Sequence, residues 1–283
     1  MALKAAGCVG RVVGIGRGAA NLDKALELGI VDRAVTLGGD WAAEVADADL
    51  VLLATPVAQF PALLAALAGR LPEKTVVTDA GSTKQNVIAA ARTHLGDALP
   101  RFIPGHPVAG TEHSGASAAF PTLFRERNVV LTPLPQTDPA ALAKVAGLWT
   151  ACGATVRELN PAVHDRIFAA VSHLPHLLAF ALVDLLAARP DAAEVFRYAA
   201  SGFRDFTRIA AGSPEMWRDI SLANRDALLA EVDAYRAQLD RARAMLAAGD
   251  AKALERMFAF ASAARHAWGA QIDASAAEGP CEQ

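Results

Sequence analysis

Strand-like and helix-like segments alternate in this chain as far as residue 160, and then the strand signal stops. Short apolar runs at Arg11–Ile15, Leu50–Ala54, Thr75–Thr78, Arg101–Ile103, Val129–Leu131 and Thr155–Leu159 are separated by helical stretches, the pattern of βαβ units that build a mainly parallel sheet. From His164 onward the periodicity is helical. Leu228, Val232, Tyr235, Leu239, Ala242 and Leu246 recur at spacings of four and three, the seam of a long amphipathic helix packed on others. The expected architecture is an α/β domain over residues 1–160 followed by an all-helical domain over 161–283.

Composition narrows the function classes. The chain has 283 residues, 53% of them hydrophobic and 20% charged, enough apolar surface for a packed core and too little charge for a disordered chain. Lys and Arg total 27 against 30 Asp and Glu, a net charge of −3, so no basic excess exists to neutralise a phosphate backbone and nucleic acid is not an expected partner. Cys8, Cys152 and Cys281 are odd in number and far apart, which fits neither a disulfide framework nor a thiolate zinc site. Leu50–Gly69 carries no formal charge, but Pro56 and Pro61 divide it into a short strand and a helix, so no membrane span is expected. The first residues lack the apolar core of a secretory signal. A cytoplasmic location is expected.

Gly14-Ile15-Gly16-Arg17-Gly18-Ala19 matches the G-x-G-x-x-G/A fingerprint of dinucleotide-binding folds. The helix that follows, about Asn21–Leu28, is short for that role and is closed by Gly29. The preferred alternative makes Arg11–Ile15 the second strand of a Rossmann-like domain and Met1–Ala6 the end of its first helix. On that reading the first strand and its glycine loop are missing from the chain, a loss of ~20 to 30 residues by the size of a βαβ unit. A misplaced start and a protein that no longer binds nucleotide well remain open explanations. Arg17 then stands where the cofactor ribose is sorted, and an Arg there leans towards NADP over NAD.

Two segments fall at strand ends, where open α/β sheets bind ligands. The first is Thr78-Asp79-Ala80-Gly81-Ser82-Thr83-Lys84, in which Ser82 is either a cleft hydroxyl or the N-cap of the next helix, and Lys84 is a cap or charge partner. The second runs from Gly105-His106-Pro107 through Glu112 and His113 to Gly115, read as a loop crowded with glycines around a histidine.

These segments resemble the prephenate and arogenate dehydrogenases of tyrosine biosynthesis. The likeness rests on the Gly-Ser-Thr-Lys turn, Gly105-His106-Pro107 with Ala109-Gly110-Thr111-Glu112 and Ser114-Gly115, His164-Asp165 leading to Ser172-His173-Leu174-Pro175-His176, and Asp205-Phe206-Thr207-Arg208-Ile209-Ala210 followed by Met216-Trp217-Arg218. It implies a Rossmann-like domain with a helical dimerisation domain, and oxidative decarboxylation of prephenate to 4-hydroxyphenylpyruvate with NAD or NADP. The alternatives are an arogenate dehydrogenase giving tyrosine, or a relic that binds substrate without dinucleotide. A hydroxyacid or imine reductase of similar layout is a third reading, and it would rely on a helix-borne lysine.

The resemblance assigns His106 as the base at the ring hydroxyl, a task suited to an imidazole of ordinary pKa ~6.5. It assigns Ser82 to the same oxygen and Arg208 to a substrate carboxylate, which a planar guanidinium grips in bidentate fashion. His176 and, as a pocket wall, Trp217 belong to the substrate site; Glu112 with Asp205 form an ionic gate; Thr55 and Pro56 line the cofactor side. His173 and the His164–Asp165 pair are expected to position the helix that links the two halves. Although His173 and His176 lie three apart on one helix face, no metal is expected. The partners expected are the small-molecule substrate and a second copy bound through the helical domain.

Overall fold

The computed structural model describes residues 1–110 and 113–277, with side chains as far as Gln271. Its strands are β1 (Val13–Gly16), β2 (Arg33–Thr36), β3 (Leu50–Leu53), β4 (Val76–Asp79), β5 (Phe102–Ile103), β6 (Gly105–Pro107), β7 (Asn128–Leu131) and β8 (Thr155–Glu158). They form ladders β1–β2, β3–β4–β5 and β6–β7–β8, parallel throughout except for β6 against β7. The helices are α1 (Ala2–Ala5), α2 (Ala19–Glu27), α3 (Ala42–Ala46), α4 (Phe60–Leu67), α5 (Gln85–His94), α6 (Pro139–Ala151), α7 (Pro161–Phe168), α8 (Leu174–Ala187), α9 (Ala192–Arg197), α10 (Ser201–Thr207), α11 (Pro214–Ala223), α12 (Arg225–Ala247) and α13 (Ala251–Ala277). Two compact units result, residues 1–228 and 229–283. Residue 160, the expected boundary, falls between β8 and α7 inside the first.

Strand alternation gives the sheet two buried faces. Val77 and Phe102 join Phe60, Leu64, Val87 and Ala91 on the face covered by α4 and α5. Their neighbours Val76 and Ile103 point the other way, to Val129, Leu131, Val145 and Trp149 under α6. Helices on both faces of a mainly parallel sheet are the doubly wound, Rossmann-like arrangement expected. Several helices start by one rule, a capping side chain followed by proline. Asp138 accepts from Ala140 N–H at 3.0 Å ahead of α6, and Asn160 from Ala162 N–H at 2.9 Å ahead of α7.

No ladder joins β1 to β3 among the described residues. The pair β1–β2 forms a parallel ladder of its own. Helix α1 is closed by Gly7, at φ +67°, through Gly7 N–H to Lys4 O and Cys8 N–H to Leu3 O, a Schellman stop.

The structure corrects four local expectations. Strand β2, with one valine and a charged first residue, has too weak an apolar pattern to be read from sequence. Gly105-His106-Pro107 is not loop but strand β6, whose pairing is supplied by β7 rather than by its own propensity. The sequence from Asp273 to Gln283 reads as a frayed tail, whereas helix α13 continues to Ala277. In the α12 seam Leu228 is buried, but Leu239 and Leu246 are exposed, so the described residues do not cover the whole stripe.

Leu50–Gly69 is divided between β3 and α4 as expected. A different stretch, Pro161–Ala187, is long and apolar enough to cross a membrane. It carries His164, Asp165 and His173, all buried against the rest of the first unit, which marks it as part of the fold.

Candidate active site

Strand β4 ends in Asp79, fully buried and heavily hydrogen-bonded. Its Oδ2 accepts from Gly81 N–H at 2.7 Å and from Lys84 Nζ, and its Oδ1 accepts from Gly105 N–H at 3.0 Å. Lys84 Nζ, also fully buried, donates to Gly105 O at 2.6 Å. Burial pushes the Asp79 carboxyl up and the Lys84 ammonium down, and the attraction between them opposes both shifts. This ion pair pins the Ser82 turn to the start of β6. Both glycines are required by close approach: a Cβ on Gly81 would meet Asp79 Oδ2 at 2.9 Å, and one on Gly105 would meet Asp79 O at 2.9 Å. Ser82 is not the cap of α5, because Asp165 takes that role from α7, accepting from Lys84 N–H at 2.8 Å and Gln85 N–H at 2.9 Å.

His106 leaves β6 towards α7. Its Nδ1 lies 2.9 Å from His164 Nε2, and His164 Nδ1 lies 2.8 Å from Asp165 Oδ1. The ring is buried, but its walls are His164 and Phe168, with ring centroids 5.1 and 4.6 Å away, not aliphatic chains. Nε2 of His106 has no hydrogen-bond partner among the described residues and is not sealed from solvent. Burial, then the neighbouring His164, Lys84 and His173, hold the His106 pKa well below the ordinary value. The ring is therefore neutral at physiological pH, the form a general base requires.

A second cluster sits where α7 passes into α8. Residues Ala169–His173 form a π-helical turn, and Pro175 is its local cause, since it has no N–H for the Val171 carbonyl. His176 Nδ1 donates to Ser172 O at 2.8 Å, and the ring stacks on Trp217 at 3.5 Å between centroids. Trp217 packs beside Gly212, where a Cβ would meet the indole Nε1 at 2.9 Å. Arg208 is exposed on the turn after α10, and its charge depresses the His176 pKa after burial has done so. Nδ1 of His173 is 3.1 Å from Asn224 Nδ2, which also donates to Asp165 O at 2.7 Å. Burial lowers the His173 pKa to about 4.

The residues expected on the cofactor side, Arg17, Thr55 and Pro56, lie at the carboxyl ends of β1 and β3. Arg17 follows β1 and is 3.4 Å from Glu215 on α11; the Gln59 amide oxygen, turned towards it, accepts from Nη2 at 3.0 Å. Thr55 and Pro56 follow β3, with Thr55 Oγ1 donating to Pro56 O at 3.4 Å. A Cβ on Gly14 would meet Val31, just before β2, at 3.0 Å and one on Gly16 would meet Leu22 of α2 at 3.4 Å, so both glycines serve close packing, while a Cβ on Gly18 would meet nothing within 4 Å. The described residues thus suit the ribose and nicotinamide ends of a dinucleotide.

Asp205 is an exposed acid beside Arg204 at 3.4 Å, and Glu112 lies outside the described residues. Among the described residues no group of three His, Cys, Asp or Glu side chains is placed to hold a metal ion. Sequence reasoning missed the part played by His164 and Asp165, which contact the His106 ring and the α5 N-terminus as well as lying on the connecting helix. The adjacent His-Asp pair was visible, but its distance from His106 along the chain hid the contact.

Comparison with known proteins agrees with this geometry. The family model "prephenate dehydrogenase, nucleotide-binding domain" matches residues 1–158, and "prephenate dehydrogenase, dimerization domain" matches residues 160–260. A cyclohexadienyl dehydrogenase of Zymomonas mobilis subsp. mobilis is 36% identical over 201 residues, 69% of this chain and 68% of that protein. A prephenate dehydrogenase of Bacillus subtilis is 38% identical over 218 residues, 76% of this chain but only 58% of that protein's length. The crystal structure of A. aeolicus prephenate dehydrogenase in complex with hydroxyphenyl propionate and NAD+ matches with a TM-score of 0.85 and 34% identity, covering 94% of this chain and 91% of that one. Synechocystis arogenate dehydrogenase matches at 0.75 and 30%, covering 94% of each chain. With both domain models matched in order and the His106 and Ser82 segments folded against each other beyond the carboxyl end of β4, the chain belongs to the prephenate dehydrogenase family.

Proposed function

We propose that the chain oxidatively decarboxylates prephenate to 4-hydroxyphenylpyruvate with NAD+ or NADP+, in tyrosine biosynthesis in the cytoplasm. The observation that carries this reading is a neutral, buried imidazole whose Nδ1 is held by His164 and whose Nε2 is left available. The dinucleotide, when bound, supplies the hydride acceptor. His106 Nε2 takes the proton of the ring hydroxyl, and Ser82 at the β4 turn orients the same oxygen. Arg208 holds a substrate carboxylate beside His176 and Trp217, while Asp205 with Glu112 guards the approach. Loss of the ring carboxylate as carbon dioxide leaves its bonding electrons in the ring, which becomes aromatic, and the hydroxyl proton returns to the phenol.

Arg17, with Thr55 and Pro56 on the nicotinamide side, leans the site towards NADP. Its link to Glu215 is between exposed groups, an interaction of ~0 to 1 kcal/mol that a 2′-phosphate can displace. The chain acts as a homodimer. Phe258, Phe260 and Trp268 on α13 of the second unit are exposed, and so, within the first unit, are Val171 and Leu185; each unit thus presents apolar side chains fit for a second copy.

The test is reduced-nicotinamide absorbance with prephenate or arogenate and either cofactor. Turnover of prephenate is expected, with Arg17→Ala raising KM for NADP+ more than for NAD+; no turnover of prephenate would refute the reading, and binding without turnover would favour the relic. Arg208→Ala is expected to raise the substrate KM by about 10-fold to 100-fold, the worth of a charged hydrogen bond. Lys74→Ala, which removes only an exposed pair with Asp49, is the control, and equal small effects in both would take Arg208 out of the site.

A further inference from the structure

We propose that His164 and Asp165 are positioning residues for the oxidation: they set the tautomer of His106 and carry the charge of its protonated form. The inference rests on His106 being the base of the reaction.

The argument follows the hydrogen bonds outward from α5. Asp165 is buried, and its two oxygens accept from the Lys84 and Gln85 N–H groups at the first turn of that helix. It is thus an acceptor at a position that favours negative charge. Burial pushes its carboxyl up, but His164 and those two N–H groups outweigh burial and hold it below the ordinary range. The His164 nitrogen 2.8 Å from Oδ1 must therefore be the donor, Nδ1–H. A neutral His164 then has its lone pair on Nε2, and only a donor can face it at 2.9 Å. That donor is His106 Nδ1–H. The lone pair of neutral His106 is consequently on Nε2, the nitrogen with no partner among the described residues.

When the substrate hydroxyl is deprotonated its O–H bond breaks and an N–H bond forms at His106 Nε2. Nδ1 keeps its proton. The new positive charge strengthens the Nδ1–H contact to His164 and, through that ring, the contact to the Asp165 carboxylate. An orienting carboxylate in a catalytic triad acts in this way, and losing it costs about 10⁴-fold in kcat when the tautomer inverts. Here the carboxylate acts through an interposed imidazole.

The test combines nitrogen-15 NMR of the resting protein with kinetics of His164→Phe, His164→Gln and Asp165→Asn. In the unaltered protein His106 is expected to carry its proton on Nδ1. His164→Phe keeps a flat ring against Phe168 but removes the acceptor. It should move the proton to Nε2 and lower kcat by about 10²-fold to 10⁴-fold with little change in KM. His164→Gln restores an acceptor carbonyl, and is expected to restore the Nδ1–H form and at least about 10-fold of the lost kcat. Asp165→Asn keeps an acceptor for α5 but removes the charge, and should lower kcat by about 10-fold or more. If it loses helix content by circular dichroism, the His164 pair alone decides the matter, since that ring caps no helix. A proton on Nε2 in the unaltered protein, a Phe variant within about threefold of normal kcat, or Phe and Gln variants that behave alike would overturn the proposal. Absence of prephenate turnover in the unaltered protein would sink the assigned reaction instead, and the NMR result would still decide the tautomer.

Discussion

Replacing His106 by Asn is expected to lower kcat by about 10²-fold to 10⁴-fold, the usual worth of a positioned base, while KM for the substrate changes little. The side chain is buried between His164 and Phe168, and its Nδ1 lies 2.9 Å from His164 Nε2. Asn can offer a donor to His164 in place of Nδ1–H, but it has no basic atom at the position of Nε2. The fold should therefore survive and the proton transfer should not. The pH profile has a definite direction. Burial and the neighbouring His164, Lys84 and His173 lower the His106 pKa, so the neutral, competent ring persists below the ordinary histidine value of ~6.5. The acid limb of kcat/KM, which reports the free enzyme, is expected below pH ~6.5 and should disappear in the Asn variant. Near-normal turnover of His106→Asn, or an unchanged acid limb, would remove this ring from the chemistry.

Lys84→Met is expected to destabilise the protein by about 3 to 5 kcal/mol, because it leaves the Asp79 carboxylate buried without a counter-charge. Both side chains are fully buried, and Asp79 also holds the Gly81 and Gly105 amides. The damage should reach the site too, since the Lys84–Gly105 contact ties the histidine-bearing strand to the Ser82 turn. Adding Asp79→Asn removes the stranded charge and keeps one acceptor for the amides, so the double variant should recover part of the loss. Urea unfolding midpoints at constant m value measure this. A single variant within about 1 kcal/mol of the unaltered protein would show that the pair is solvated or dispensable.

How much of this was legible in the sequence depended on whether a residue's partner was near it in the chain. β1, β3, β4, β7 and β8 were readable because each carries one or more β-branched residues within four positions. The proline-led starts of α6, α7 and α11 are local signals for the same reason. β6 was not readable. Its three residues include a glycine and a proline and have no strand preference, and they become a strand only because β7 offers an antiparallel edge. The family motifs named His106, Ser82, Arg208, His176 and Trp217, yet gave no view of what those residues touch. Lys84 was read as a cap or charge partner, and it is the partner of Asp79, five residues away.

The amino-acid order alone determined the fold class, the doubly wound half followed by helices, and the family, because hydrophobic period and short motifs are properties of neighbours along a chain. Tertiary structure decided the chemistry of the site. Asp165 caps a helix that begins eighty residues earlier in the chain and holds His164, which in turn holds His106 across fifty-eight positions. A tautomer is set by the hydrogen bonds that reach it through space, and no spacing in the sequence encodes a distance of 2.9 Å between two rings so far apart along the chain.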